Sequence, residues 1–267
     1  MFQRYVAIGD SSTEGMDDPD GNGGYRGWAN RLAEHLARVQ GSVLYANLGV
    51  RGKRTRDILE EQLEPALALR PDLTTVFSGT NDVVARRFDA GQVGRQMLEM
   101  QRALIAGGAT VLTFTLPDLA PVMPLAKLIR SRVLALNEAL RHAARESGAI
   151  LVDMARYPVA TDPRLWSGDR FHANSLGHER IAAALAWALK LPETDDSWSR
   201  PLPGSPPRGR FGWLTAELAW GRDHLLPWIW RHLRGRSSGD GIRPKRPQLL
   251  PLAAPLSGDV IAHQPQR

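Results

Sequence analysis

The chain of 267 residues contains no cysteine. This absence excludes a disulfide scaffold, a zinc or iron–sulfur site held by thiolates, and a cysteine nucleophile. The chain also lacks an apolar run of about 20 residues, the length that a membrane-spanning helix needs. Its first ten residues are a short apolar run before a turn, not the basic and apolar regions of a secretory signal. A cytoplasmic protein is therefore the default expectation.

Charge is distributed unevenly along the chain. The formal net charge is +6, and residues 200–267 hold 11 of the 34 Lys and Arg but only 4 of the 28 Asp and Glu. That segment carries a net charge of +7, which leaves residues 1–199 at −1. A neutral body with a basic extension predicts a catalytic or binding domain with a surface-seeking appendage, and no nucleic-acid partner is expected.

Residues 1–192 alternate short apolar runs with longer segments of helical periodicity. The short runs have the length and composition of strands at 5–8, 42–48, 73–78, 110–116 and 149–154. The segments between them are long enough for crossover helices, which favours parallel pairing. The pattern predicts an α/β domain, a three-layer α/β/α sheet of about five parallel strands, with its site at the carboxyl ends of the strands.

The C-terminal part has a different composition. Residues 193–210 contain a cluster of prolines and predict an extended linker, because proline does not continue a helix. Residues 211–235 hold four Trp together with Leu and Arg and predict an amphipathic helical segment. Residues 236–267 are rich in Pro, Ser, Gly and basic residues and predict an irregular tail.

The segment 211–235 has two interpretations. Trp and Arg on one amphipathic helix are typical of a segment that lies in a membrane interface. The same apolar side could instead pack on the body of the protein or on a second copy of the chain. Peripheral membrane contact and self-association therefore both stay open.

Polar residues follow three of the predicted strands. The first strand ends in Gly9-Asp10-Ser11, which places Ser11 at the start of a turn where a nucleophile can stand above the sheet edge. The second leads to a turn with Gly52, where a backbone N–H can approach a ligand. The third leads to Gly79-Thr80-Asn81-Asp82, where Asn81 can aim its amide at developing negative charge. Taken alone, each is also explained by an ordinary turn or helix cap.

Asp169 and His172 lie three residues apart, after the fifth predicted strand and before the last helix. A catalytic histidine needs a carboxylate to hold its second ring nitrogen, and this spacing allows that with one local hydrogen bond. The pair is weak evidence by itself. Its place in the order Ser11, Gly52, Asn81, Asp169, His172 is more informative than any single motif.

This ordered set resembles the SGNH hydrolase family, also called the GDSL-type esterases and lipases, over residues 3–190. The first family block matches Gly9-Asp10-Ser11, the second matches Gly52, the third matches Gly79 to Asp82, and the Asp-x-x-His block matches Asp169 to His172. The resemblance implies a flavodoxin-like three-layer fold and a serine esterase that cleaves carboxylic esters without a cofactor or a metal.

The resemblance also implies a role for each residue. Ser11 would attack the acyl carbonyl, and His172 would take its proton and pass it to the leaving alkoxide. Asp169 would orient His172. The backbone N–H groups of Ser11 and Gly52 and the side chain of Asn81 would hold the oxyanion.

The expected partner is a small-molecule ester, with short-chain acyl or acetyl esters as the first expectation. The alternatives are a lysophospholipase or thioesterase acting at a membrane surface, and a catalytically silent ligand-binding module. The acyl pocket is expected to have walls from the loops at 16–24, 83–92 and 117–130. His178, on the last helix of the body, is expected to pack or to cap.

Overall fold

A computed structural model describes residues 1–204, 222, 239 and 241–253, and a six-stranded sheet lies at its centre. The strands are β1 (Arg4–Gly9), β2 (Ser42–Asn47), β3 (Leu73–Phe77), β4 (Thr110–Phe114), β5 (Ile150–Val152) and β6 (Arg246–Ala253). Their order across the sheet is β5-β4-β3-β1-β2-β6. The first five pair in parallel, and β6 runs antiparallel along β2.

Helices cover the sheet in two groups. They are α1 (Ser11–Glu14), α2 (Gly27–Gln40), α3 (Thr55–Ala68), α4 (Thr80–Val83), α5 (Ala90–Ala106), α6 (Arg130–Ser147) and α7 (Ser175–Ala188). α2 packs against α7, whereas α5 packs against both α3 and α6. The apolar side of α2 buries Trp28, Leu32 and Leu36, which recur at one-turn spacing. The predicted fold class, a three-layer α/β/α sheet with five parallel strands, is confirmed.

The strand order places a crevice between β1 and β3. The five parallel strands have the order 5-4-3-1-2, so the direction of winding reverses at β1 and β3. At such a reversal the adjacent connections leave from opposite faces of the sheet and open a crevice at its carboxyl edge. Ser11 follows β1 and Asn81 follows β3, so both residues border this crevice.

Residues 193–204 differ from the extended linker that their composition predicts. They include a 3₁₀ turn around Trp198, whose buried ring lies 4.5 Å from that of Tyr157 between centroids. The carbonyl groups of residues 202–204 accept hydrogen bonds from the Arg164 guanidinium. Burial of a large indole ring outweighs the preference of prolines for an isolated extended chain. This part of the extension therefore packs on the body.

Part of the tail also differs from the irregular structure predicted for 236–267. Arg246–Ala253 form the edge strand β6, in which Leu252 lies opposite Val43 of β2. Pro247 and Pro251 lack an N–H donor, and an edge strand tolerates this because one of its sides needs no ladder partner. The pairing with β2 depends on a distant segment, so the local composition does not predict it.

Several sequence-based predictions lie outside the described residues. These are the end of the linker at 205–210, the amphipathic character of 211–235 with its membrane contact or self-association, and the tail beyond residue 253. Of the helices in the part that the structure describes, none combines the length and the apolarity needed to cross a bilayer.

Candidate active site

A tight turn after β1 presents Ser11 at the carboxyl edge of the sheet. Gly9 ends the strand so close to β3 that a Cβ atom on it would lie 2.4 Å from the carbonyl oxygen of Phe77. The Asp10 carboxylate accepts a hydrogen bond from the Ser12 N–H at 3.0 Å and caps α1, whose first residue is Ser11. Burial raises the pKa of Asp10 to about 7. Asp10 thus supports the turn that carries Ser11.

His172 joins Ser11 to Asp169. Its Nε2 lies 2.9 Å from Ser11 Oγ, although the two residues are 161 positions apart. Its Nδ1 lies 2.6 Å from Asp169 Oδ2. Asp169 Oδ1 accepts hydrogen bonds from the Ser167 hydroxyl and from the backbone N–H groups of Phe171 and His172. This fixed carboxylate favours the tautomer with the proton on Nδ1, which leaves Nε2 to accept a proton.

The charges of Asp169 and His172 support each other. Burial alone would raise the pKa of Asp169, but the hydrogen bond and charge of His172 hold that pKa well below its usual range. Burial alone would lower the pKa of His172, but the hydrogen bond and charge of Asp169 raise it above its usual value. The ion pair that forms when His172 takes a proton is therefore stabilised.

The turn with Gly52 and the start of α4 meet at Lys53. Asn81 Nδ2 donates a hydrogen bond of 2.9 Å to the Lys53 carbonyl oxygen, one residue beyond Gly52. Because an amide nitrogen carries two hydrogens, this bond leaves a second N–H for a ligand. Gly52 has a φ of +75°, a conformation that favours glycine. Asn81 thus lies beside the Gly52 turn, with an amide N–H left to donate.

Glu14 holds the Gly52 turn against the helix that begins with Ser11. Its carboxylate accepts a hydrogen bond of 2.9 Å from the Arg51 N–H and forms an ion pair with the Arg51 guanidinium. Because Ser11 and Glu14 are one helical turn apart in α1, this contact ties the turn that carries Ser11 to the Gly52 turn. The sequence analysis assigns no role to Glu14. Its spacing of three residues from Ser11 is the only feature of the sequence that points to this contact.

Asp17 is a second carboxylate near the imidazole that sequence reasoning missed. Its Oδ2 lies 3.9 Å from His172 Nδ1, and its negative charge contributes to the raised pKa of His172. Its φ of +66° is unusual for a residue other than glycine. Such a backbone conformation has no signal in the sequence, since aspartate is ordinary in loops.

Asp17, Asp169 and His172 are also the group, among the described residues, whose possible metal-ligand atoms all lie within 4.8 Å of one another. Both ring nitrogens of His172 already have protein partners, Asp169 on one side and Ser11 on the other. A metal would have to displace one of these hydrogen bonds. The arrangement therefore suits proton transfer better than metal coordination.

His178 links α7 to two segments near Ser11. Its Nδ1 accepts a hydrogen bond of 3.0 Å from the Trp28 N–H, and its Nε2 donates one of 2.9 Å to the Met16 carbonyl oxygen. Burial is the main cause that lowers the pKa of His178 to about 4. His178 therefore packs and caps, as expected, and connects α7 to the loop after α1.

His178 is expected to make the fold sensitive to acid. The unfolded histidine titrates near 6.5 and the folded one near 4, so the unfolded chain binds more protons between these values. The free energy of unfolding should therefore fall as the pH drops through this window, by about 3 kcal/mol for this group. Urea unfolding at several pH values between 6.5 and 4 measures this decrease in the free energy of unfolding, and the decrease should be smaller in His178→Gln. An equal pH slope in both proteins would contradict this account.

An apolar cleft opens from Ser11 and His172 into the body of the protein. Its empty volume is about 870 Å³, part of which is open to solvent. Pro117 and Leu119 of the 117–130 loop line it, as expected. In the described part of the chain, the loops at 16–24 and 83–92 supply no residue to this cleft. Its walls come instead from strand ends, the segment 154–173, α7 and Trp198.

Comparisons with known proteins agree with this geometry. The GDSL-like Lipase/Acylhydrolase family matches residues 7–180, more than half of the chain. Curated proteins give no match. Among solved structures, LAE5, an alpha/beta hydrolase from the metagenome of Lake Arreo in Spain, is 24% identical with a TM-score of 0.59, and the similarity covers 71% of this chain and 95% of LAE5.

Two further solved structures share the fold. A lipase/acylhydrolase from Enterococcus faecalis is 22% identical with a TM-score of 0.58, covering 70% of this chain and 95% of its own. A catalytic mutant of Axe2, an acetylxylan esterase from Geobacillus stearothermophilus, is 17% identical with a TM-score of 0.60, covering 75% and 97%. The family resemblance seen in the sequence motifs is confirmed. The chain belongs to the GDSL-like lipase/acylhydrolase family of carboxylic ester hydrolases.

Proposed function

We propose that this chain hydrolyses carboxylic esters through an acyl-enzyme on Ser11. The observation that carries the proposal is the hydrogen-bond chain from Ser11 through His172 to Asp169, with distances of 2.9 and 2.6 Å. A hydroxyl, an imidazole and a fixed carboxylate in this order are the parts needed to activate a serine nucleophile. The family match to acylhydrolases supports the same chemistry.

The first half of the reaction forms the acyl-enzyme. Ser11 Oγ attacks the acyl carbon while its proton passes to His172 Nε2, and Asp169 stabilises the resulting imidazolium. The carbonyl oxygen becomes an oxyanion, for which the N–H groups of Ser11 and Gly52 and the Asn81 amide are the donors. His172 then gives the proton to the leaving alkoxide as the ester C–O bond breaks, and the acyl group remains on Ser11.

The second half releases the acid. A water molecule attacks the acyl carbon, its proton passes to His172, and the same donors hold the second oxyanion. His172 returns the proton to Ser11 Oγ as the acyl group leaves. The enzyme is restored, and no redox step or cofactor is needed to balance the reaction.

A fluorophosphonate probe tests the proposal. It forms a covalent bond to a serine only where a base activates the hydroxyl. One equivalent of probe is expected to abolish hydrolysis of p-nitrophenyl butyrate, with the label on Ser11. Ser12→Ala is the matched control, because the Ser12 hydroxyl accepts a hydrogen bond from Trp28 Nε1 instead of contacting His172. Loss of labelling in Ser12→Ala with labelling retained in Ser11→Ala would refute the assignment.

Asn81→Ala is expected to lower kcat for p-nitrophenyl butyrate by about 10²–10³-fold, because it removes one donor to the oxyanion. KM should change little, since this donor acts mainly in the transition state. Steady-state kinetics measures kcat and KM, and a thermal unfolding curve shows whether the variant is folded. An increase in KM at unchanged kcat would show instead that Asn81 binds the ground state and the transition state equally well.

A further inference from the structure

The cleft that begins at Ser11 and His172 has mainly apolar walls. Phe77 and Phe114, at the ends of β3 and β4, stack with 4.0 Å between ring centroids and form one side. Met154, Val159 and Ile181 also line the cleft. A ligand that enters from the nucleophile therefore passes from the polar catalytic groups to hydrocarbon and aromatic surface.

Two polar side chains that reach the cleft, those of Ser12 and Thr115, already have protein partners, while the indole N–H of Trp198 is buried and has no hydrogen-bond partner among the described residues. The Ser12 hydroxyl accepts a hydrogen bond of 3.1 Å from Trp28 Nε1. The Thr115 hydroxyl donates one of 2.8 Å to Asp153. A sugar hydroxyl placed here would lose its water partners with little replacement, which is unfavourable. A hydrocarbon chain has no such requirement, so the cleft suits the acyl part of an ester better than a polar alcohol part.

Trp198 supplies a wall of the cleft from outside the residues that match the family, 7–180. Its ring is buried and packs edge-on against Tyr157. Arg180 of α7 donates a hydrogen bond to the Ser197 carbonyl and holds the turn that carries Trp198. The shape of the cleft therefore depends on this chain's own extension.

We propose that this cleft holds the acyl chain of the substrate and that the preferred substrates are esters of medium-chain fatty acids, such as octanoate. The inference rests on the proposed acyl-enzyme, because the acyl group starts at Ser11 Oγ and Ser11 lines the cleft. Each methylene that enters exchanges water for apolar surface and strengthens binding of the transition state. Short-chain or acetyl esters are the expectation from the sequence, and the cleft favours longer chains.

Hydrolysis of p-nitrophenyl acetate, butyrate and octanoate by the full chain tests the proposal. We expect kcat/KM to rise by about fourfold per added methylene, the rate equivalent of burying one CH₂ group. A profile that is flat or falls from acetate to octanoate overturns the proposal while leaving the proposed function intact. Failure to hydrolyse any of the three esters counts against the proposed function itself, and this inference fails with it.

A narrowing substitution gives a second test. Ala160 is half-buried and lines the cleft, so Ala160→Phe fills part of it. We expect the octanoate-to-acetate ratio of kcat/KM to fall by at least about tenfold, because the longer chain reaches the added ring. An unchanged octanoate-to-acetate ratio in folded Ala160→Phe contradicts the proposal.

Trp198→Ala and Trp187→Ala form a matched pair. Trp187 lies on α7 and its ring centroid is 6.0 Å from that of Trp198, but it is substantially exposed and is not among the residues that line the cleft. We expect the octanoate-to-acetate ratio to fall in Trp198→Ala and to stay unchanged in Trp187→Ala. Thermal unfolding shows whether each variant is folded. Equal octanoate-to-acetate ratios in the two folded variants would exclude Trp198 as a wall of the acyl site. If Trp198→Ala does not fold, the result for Ala160→Phe decides whether the cleft holds the acyl chain.

Discussion

Ser11→Ala is expected to lower kcat/KM for p-nitrophenyl butyrate by about 10⁴-fold or more. The substitution removes the oxygen that lies 2.9 Å from His172 Nε2. The remaining groups can still hold an oxyanion and activate water weakly, so a small residual rate above the uncatalysed one is expected. Steady-state hydrolysis of this ester measures the loss.

Ser12→Ala separates loss of the nucleophile from damage to the turn. Ser12 is the next residue in α1, and its hydroxyl contacts Trp28 rather than His172. Its kcat/KM is expected to remain within about tenfold of the wild-type value, a limit set by the loss of one buried hydrogen bond. Similar losses in Ser11→Ala and Ser12→Ala would mean that the turn as a whole matters and that Ser11 has no special chemical role.

Asp169→Asn is expected to reduce kcat/KM by about 10⁴-fold while leaving the fold intact. An asparagine amide would donate to the His172 ring where the carboxylate accepts, which favours the wrong tautomer. Loss of the carboxylate charge also removes a main cause that raises the pKa of His172. Measurement of kcat/KM against pH should therefore show both a lower plateau and an altered acid limb.

Asp17→Asn is the comparison for that experiment. Asp17 faces the same ring nitrogen at 3.9 Å, a distance beyond a hydrogen bond, whereas Asp169 lies at 2.6 Å. The Asp17→Asn variant should lose far less activity than Asp169→Asn, and it should leave the tautomer of His172 unchanged. Equal losses in the two variants would show that charge near His172 matters more than the hydrogen bond that orients it.

The fold and the order of the site residues follow from local patterns in the chain. The apolar runs that become β1 to β5 are separated by segments of helical length, and such an alternation leaves few topologies other than a parallel sheet. Ser11 and Asn81 follow neighbouring strands in that sheet, so the topology places both at its carboxyl edge. The contact between Asp169 and His172 is local, and a spacing of three residues is enough to suggest it.

Other parts of the structure depend on contacts that no local pattern encodes. Trp198 lies in a proline-rich stretch, and only the tertiary structure places its ring against Tyr157 and beside the cleft. β6 contains Pro247 and Pro251, which disfavour a strand unless it lies at a sheet edge. The left-handed backbone conformation of Asp17 is also not encoded by a local pattern, because the folded loop imposes it.

One of these unpredicted features changes the functional interpretation. The packing of residues 193–204 turns part of a predicted linker into a wall of the cleft. The cleft in turn moves the expected substrate from acetyl esters toward esters with a longer acyl chain. Local motifs are enough to suggest the residues of the proposed chemistry, whereas the proposed choice of acyl chain depends on side chains that only the fold brings together.

The acyl-enzyme itself is the most direct test of the account. The full chain is mixed with p-nitrophenyl octanoate, quenched in acid within the first turnovers and digested, and the peptides are examined by mass spectrometry. A mass increase of one octanoyl group is expected on the peptide that contains Ser11, and no such increase is expected in Ser11→Ala. An octanoyl group found on another residue during productive turnover, or in Ser11→Ala at the wild-type level, would contradict the proposed acyl-enzyme on Ser11.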